Sequence, residues 1–215
     1  MLIIPDRSDP GSRPGSCRFT SILKLLRAPY KLVPLLVAAF LASALAGGPS
    51  PLPGPEEAEA AQCRGGSTPP RKATQRRAAK AVLCLVNKQR SKRGIRRLDG
   101  SGDLHDAARS HTARMQKSNC FDHTCPGEPS LTGRYQRHDY LPCRCSWGSG
   151  ENIAWGAGRR GTPARIVKSW MRSRPHREAI LERSFEHIGV GVRWGSPKRR
   201  KAKAGTYTLD FGYKR

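Results

Sequence analysis

The sequence predicts an α+β domain of layered helices and strands, and three observations carry the prediction. Apolar residues recur at helical spacing over the first part of the domain. Near the carboxyl end they alternate with small or polar residues, and the alternating segments are too few for a doubly wound sheet. From near Gln75, Ala78, Val82, Leu85 and Val86 share one face with Lys and Arg opposite, and Gly94 stops the helix. A second helix follows with Ser101 or Asp103 as its cap, and Leu104, Ala107, Ala108, His111 and Met115 form its apolar stripe. His111, inside that stripe, reads as a packed, hydrogen-bonded core residue. Pro129 to Arg137 is a short helix with Pro129 in the first turn and Leu131 and Tyr135 facing inward. Glu151 to Trp155 reads as a strand bounded by glycines. Thr162 then caps a helix that starts at Pro163, turns Ile166, Val167, Trp170 and Met171 inward, and ends before Pro175. His176 opens a short turn or helical piece reaching Leu181. The tail is a hairpin: Ile188, Val190, Val192 and Trp194 on one strand, Tyr207, Leu209, Phe211 and Tyr213 on the other. Its connection, Gly195 to Gly205, carries the solvated run Lys198-Arg199-Arg200-Lys201.

Residues 1–46 read as a signal peptide with a long basic leader. Arg18, Lys24, Arg27 and Lys31 precede an apolar run from Leu32 to Ala46, and Ala44 and Ala46 supply a small-residue cleavage pattern. That run is short of the roughly 20 residues a membrane-spanning helix needs, so a secreted, extracellular protein with no span after cleavage is expected. Residues 47–74, rich in Pro, Gly and Ala, read as a linker, and 75–215 as the domain. The 215-residue chain carries a formal charge of +24. With six basic and two acidic residues in the first 46, the remainder keeps +20. Such a balance favours anionic partners, an envelope polymer rich in phosphate among them. No recognisable nucleic-acid motif accompanies it, so specific nucleic-acid binding is not expected.

Cysteine usage agrees with export. Cys17 would be lost with the leader, leaving Cys63, Cys84, Cys120, Cys125, Cys143 and Cys145 as a disulfide framework. Cys143 and Cys145 are too close in sequence to bridge each other without strain. If Cys63 pairs with Cys84, Cys120 and Cys125 must each join one of Cys143 and Cys145, which would bolt the turn at His123 to the approach to Glu151. Structural zinc is the rival reading, but Cys-x4-Cys and Cys-x-Cys spacings fit it poorly.

Leu85-Val86-Asn87-x-x-Arg90, Phe121-x-His123, Gly150-Glu151-Asn152-Ile153-Ala154-Trp155, Trp170-Met171-x-Ser173-x-Pro175-His176-Arg177 and Ile188-Gly189-Val190-Gly191 occur in that order. Over about Ala78 to Tyr213 the chain resembles the CAP superfamily (SCP domain) of cysteine-rich secretory, venom allergen and plant pathogenesis-related proteins, in its secreted bacterial type. The resemblance implies a three-layer α-β-α sandwich with a small antiparallel sheet, and a cleft where two histidines and two acidic residues meet. His123, Glu151 and His176 match three of the four; Ser173 stands where the second acidic residue is expected. Family members are mostly binding modules, some holding lipids and some a divalent metal. The ligand cleft is therefore placed at His123, Glu151, Asn152, Trp170 and His176, and a monomeric module taking a small apolar or lipid ligand is expected. No cofactor is required on this reading, and zinc would bind at His123 and His176. The alternatives are a metal-dependent module, a polar cluster with a purely structural part, and a secreted hydrolase of peptidase or esterase type using His123, Glu151, His176 and Ser173.

Overall fold

A computed structural model describes residues 58, 61–141, 146–198 and 203–215. The expected leader and signal sequence, Cys143, Cys145 and most of the basic hairpin loop lie outside the described residues. Among the described residues, five α-helices, α1 (Gln75–Ser91), α2 (Gly102–Lys117), α3 (Leu131–Arg137), α4 (Pro163–Arg172) and α5 (Arg174–Leu181), pack around one sheet. Its strands are β1 (Asp99–Gly100), β2 (Trp147–Ala157), β3 (His187–Trp194) and β4 (Ala204–Lys214), in spatial order β1-β3-β4-β2. The two-residue β1 runs parallel to β3, and the other pairs are antiparallel. With helices on both faces, the chain is the three-layer sandwich that the resemblance implies.

The alternation of side chains across the sheet assigns the layers. Ile188, Val190 and Val192 of β3 and Tyr207, Leu209 and Phe211 of β4 point to one side. There they join Val82, Leu85 and Val86 of α1, Ile166, Val167 and Trp170 of α4, and Ile180 of α5 in a single core. Full burial of a side chain such as Leu209 or Phe211 contributes about 1.5–3 kcal/mol. Gly189 and Gly191 point to the other side, where a Cβ at either would collide with the α2 backbone at Leu104 or Ala108. These glycines let α2 lie directly against the sheet, and Thr112 of α2 meets Thr208 of β4 at 2.9 Å between hydroxyls. The sheet is consequently buried on both faces over its centre.

Local signals explain the element ends, with some corrections. Ser101, not Asp103, caps α2, accepting from the Leu104 amide at 3.3 Å. Pro129 is not in the first turn of α3: Ser130 caps that helix, which starts at Leu131. After α1 the chain reverses through Gly94 at φ 62°, the left-handed conformation that glycine adopts without a Cβ penalty. Ser173 ends α4 in extended conformation and stands directly ahead of α5. β2 is longer than the expected Glu151–Trp155, because Gly148 and Gly150 pack beneath the rings of Tyr213 and Phe185. Cys63 is buried in the α1 side of the core and bridged to Cys84. The stretch read as linker is thus fastened to the domain from Cys63 onward.

Candidate functional site

β2 is the free edge of the sheet, and the candidate residues gather on either side of it. Glu151 projects to the α2 face and Asn152, next in sequence, to the opposite face. Facing Glu151 is the turn that carries His123, closed by a disulfide between Cys120 and Cys125 with Cα atoms 5.8 Å apart. That bridge overturns the expectation that Cys120 and Cys125 each pair with Cys143 or Cys145. The chain doubles back within the turn, entered through Asn119 at φ 50°, so the two sulfurs meet locally. His123 is thereby tethered on both sides, and its side chain remains 25% exposed.

Glu151 is held from three directions. Its Oε1 lies 2.7 Å from His123 Nδ1, and its Oε2 accepts from Arg134 Nη2 at 2.5 Å. His111 Nε2 stands 3.7 Å from the same Oε2. Burial opposes ionisation, but the His123 hydrogen bond and then the Arg134 charge outweigh it and hold the Glu151 carboxyl below the usual carboxylate range. Because an ionised carboxylate only accepts, His123 donates from Nδ1, and in its neutral form its Nε2 is a bare acceptor turned away from Glu151.

Arg134 organises this cluster. Only 2% exposed, it also donates from Nη1 to the carbonyl of His123 at 2.9 Å and toward that of Pro129 at 3.4 Å. One guanidinium thus fixes both the Glu151 carboxylate and the backbone of the His123 turn. Glu128 adds a second buried carboxylate: its Oε1 accepts from the Cys125 amide at 2.7 Å and lies 2.8 Å from His111 Nδ1. His111 is fully buried, as a core residue of the α2 stripe, yet neither ring nitrogen has a well-aligned hydrogen bond among the described residues.

A third carboxyl lies beneath Glu151. Asp210 of β4 is the register partner of Glu151 across the β2–β4 pair and of Gly189 across the β3–β4 pair, so all three share the α2 face. Asp210 has no exposed surface, and neither of its oxygens has an aligned partner among the described residues. Burial, reinforced by the Glu151 charge, pushes its carboxyl well above the usual range, with Arg134 opposing. The two stacked carboxyls are therefore shifted in opposite directions, Glu151 toward its ionised form and Asp210 toward its protonated form.

On the other side of β2, His176 Nδ1 lies 2.8 Å from Ser173 Oγ. Burial first, and among its neighbours the charge of His123, lower the His176 pKa. Asn152 does not face Glu151; its amide donates to the His176 carbonyl at 2.9 Å and positions the start of α5. Trp170, expected in the cleft, is 2% exposed in the core, its indole N–H donating to the Ile153 carbonyl at 3.2 Å. The geometry thus pairs His123 with Glu151 and His176 with Ser173, assigns Asn152 a supporting contact and places Trp170 behind the sheet. Arg134, His111, Glu128 and Asp210 complete the site without having been expected there.

The ring nitrogens left to ligate a zinc ion are the two Nε2 atoms, since each Nδ1 has a partner. Both Glu151 oxygens are already engaged, Oε1 by His123 and Oε2 by Arg134, whose charge beside the carboxylate opposes a second cation. Two donors fall short of the three protein ligands of catalytic zinc sites, and among the described residues no group of three His, Cys, Asp or Glu is arranged to hold a metal. The donor set does not make a resident zinc centre.

These features define an α-β-α sandwich with a paired His/Glu site at the edge of its sheet. The chain belongs to the cysteine-rich secretory protein family, CAP, whose family profile matches residues 83–210. Among curated proteins it is 38% identical over 114 residues to the uncharacterized protein YkwD of Bacillus subtilis (strain 168), covering 52% of this chain and 41% of that protein. It is also 32% identical over 115 residues to the uncharacterized membrane protein YlbC of the same organism, covering 53% and 31%. The match spans less than half the length of either relative. A solved extracellular protein containing an SCP domain from Bacillus anthracis str. Ames superposes with a TM-score of 0.52 at 25% identity, covering 67% of this chain and 44% of that one. An outer surface protein from Borrelia burgdorferi gives 0.54 at 19% identity, covering 66% and 96%.

Proposed function

We propose that this protein is a secreted CAP-domain binding module of the cell envelope or extracellular medium. On this reading it takes a lipid or other small ligand whose polar end meets the outward nitrogens of His123 and His176. Export is supported by the leader, by the two disulfides, and by structural relatives described as extracellular or outer-surface proteins. No helix among the described residues is long and apolar enough to cross a membrane.

The observation that favours binding over hydrolysis is the partition of the polar groups. A Ser-His-carboxylate triad needs its members in one hydrogen-bonded series. Here Ser173 contacts His176 while Glu151 contacts His123, and Glu151 is further committed to Arg134. The hydrolase reading keeps one favourable contact, the Ser173–His176 pair, without an acid behind it. The discriminating experiment is mass spectrometry of small molecules that copurify with the secreted protein, alongside turnover assays on ester and peptide substrates. The binding reading expects a copurifying ligand that His123→Ala or His176→Ala releases, and no turnover by the parent protein. Turnover that Glu151→Ala abolishes while the ligand stays bound would establish the hydrolase instead.

A further inference from the structure

We propose that a basic cavity between the first turn of α1, the outer face of α2 and β3 is a second binding site, one that takes the phosphoryl group of a soluble phosphoester. It shares no residue with the His123–Glu151–His176 site and does not depend on the function proposed for that site.

The cavity has a volume of about 390 Å³ and is lined by Lys72, Gln75, Arg76, His105 and Arg109 over a floor that includes Val192. Such a volume is in the range of small-molecule sites. Three permanent cations and an imidazole converge on it, and none of its lining residues is acidic. They come from separate stretches of chain: Lys72 from the turn before α1, Arg76 from α1, His105 and Arg109 from one face of α2 at i, i+4. The fold, not a run of basic residues, therefore creates the convergence. Asp106 partly offsets it through an exposed ion pair with Arg109 at 3.3 Å. A pair so exposed is worth little and readily exchanged for a stronger acceptor.

Two further features favour an anion. The first turn of α1 contains no acidic residue, and its cap Thr74 makes no side-chain capping bond. The positive end of a 17-residue helix therefore adds to the field at the cavity. His105 is consistent with that field: burial and then the Arg109 charge lower its pKa, with Arg76 contributing, while the Asp106 charge and a hydrogen bond to the Val190 backbone work against them. Arg forks suit the several acceptor oxygens of a phosphoryl group, which distinguishes it from a halide.

The test is histidine-resolved NMR of the whole secreted protein, titrated with inorganic phosphate, glycerol 3-phosphate or, at matched ionic strength, sodium chloride. Both phosphates are expected to shift the His105 signals saturably and raise the His105 pKa, leaving His123 and His176 unmoved, with no comparable effect of chloride. The Arg76→Glu/Arg109→Glu variant, altered at exposed positions and checked for an unchanged Tm, should weaken the response at least about tenfold. Lys80→Glu, also on α1 but outside the cavity, should not. Equal shifts with chloride and phosphate, or full affinity in the double variant, would overturn the site. Sedimentation with phosphatidylglycerol vesicles that the double variant abolishes, and with which glycerol 3-phosphate does not compete, would overturn the assignment to a soluble phosphoester in favour of a lipid surface.

Discussion

Arg134→Met should destabilise the protein by about 3–5 kcal/mol, the usual consequence of stranding a buried charge by removing its partner. At roughly 2–4 °C per kcal/mol for a domain of this size, its Tm should fall by about 6–20 °C. The size of the effect follows from what one side chain holds. Arg134 neutralises Glu151, stands 3.7 Å from the buried Glu128, and bonds the carbonyls of His123 and Pro129. Methionine fills similar space but leaves two carboxylates without a permanent cation. Glu151→Gln in the same background removes one of those charges, so Arg134→Met/Glu151→Gln should lose less than the sum of the single changes by about 1–3 kcal/mol. Urea unfolding of the four proteins checks this. Losses that simply add would show that Arg134 and Glu151 are not energetically one unit.

Asp210→Asn should stabilise the protein at neutral pH. The sign follows from linkage. The folded-state pKa of Asp210 is raised above its unfolded value, near 3.9 for an ordinary aspartate, so between the two values the folded state binds more protons than the unfolded. Its contribution to stability is fully present below the unfolded pKa and is lost as pH climbs toward the folded one. Glu151 has the opposite sign: its depressed pKa contributes stability above the ordinary glutamate range that disappears as pH falls. Asparagine reproduces the shape of the protonated Asp210 and can donate toward Glu151 without ever ionising. The variant should therefore be more stable than the parent at pH 7, with the gap closing below about pH 4, near the unfolded-state value. Comparing the two proteins at each pH cancels the titration of every other group. A gap that does not change between pH 4 and pH 8 would mean that Asp210 is ionised in the folded protein.

Both predictions concern residues that the sequence showed only indirectly, and the reasons are physical. The helices and the carboxyl-terminal hairpin follow from periodicity and capping, and the layer order, His123, Glu151 and His176 from the family resemblance. Arg134 sits with Leu131 and Tyr135 at i, i+3 and i+4 on the inward face of a short helix. That is its one signal, but a positive charge on an inward face has no periodic signature of its own. Asp210 alternates with Leu209 and Phe211, which reads as a strand with one wet face. Gly189 and Gly191, by admitting the α2 backbone, bury that face as well, and nothing local to β4 announces it. The Cys120–Cys125 bridge is hidden because spacing gives only the reach of an extended chain, not a turn that folds back on itself. Adjacency groups Glu151 with Asn152, yet side chains of successive strand residues lie on opposite faces. Asn152 accordingly serves the backbone of His176.

Glu151, held toward its ionised form by His123 and Arg134, fixes the His123 ring so that its Nε2 is left as an open acceptor. Long-range nitrogen–proton NMR of the histidine side chains near pH 8, where an ordinary imidazole is neutral, tests it directly. The account predicts His123 with its proton on Nδ1 and a bare Nε2, and loss of that preference in Glu151→Gln. A proton on His123 Nε2 in the parent protein, or the same tautomer mixture with and without Glu151, would contradict it.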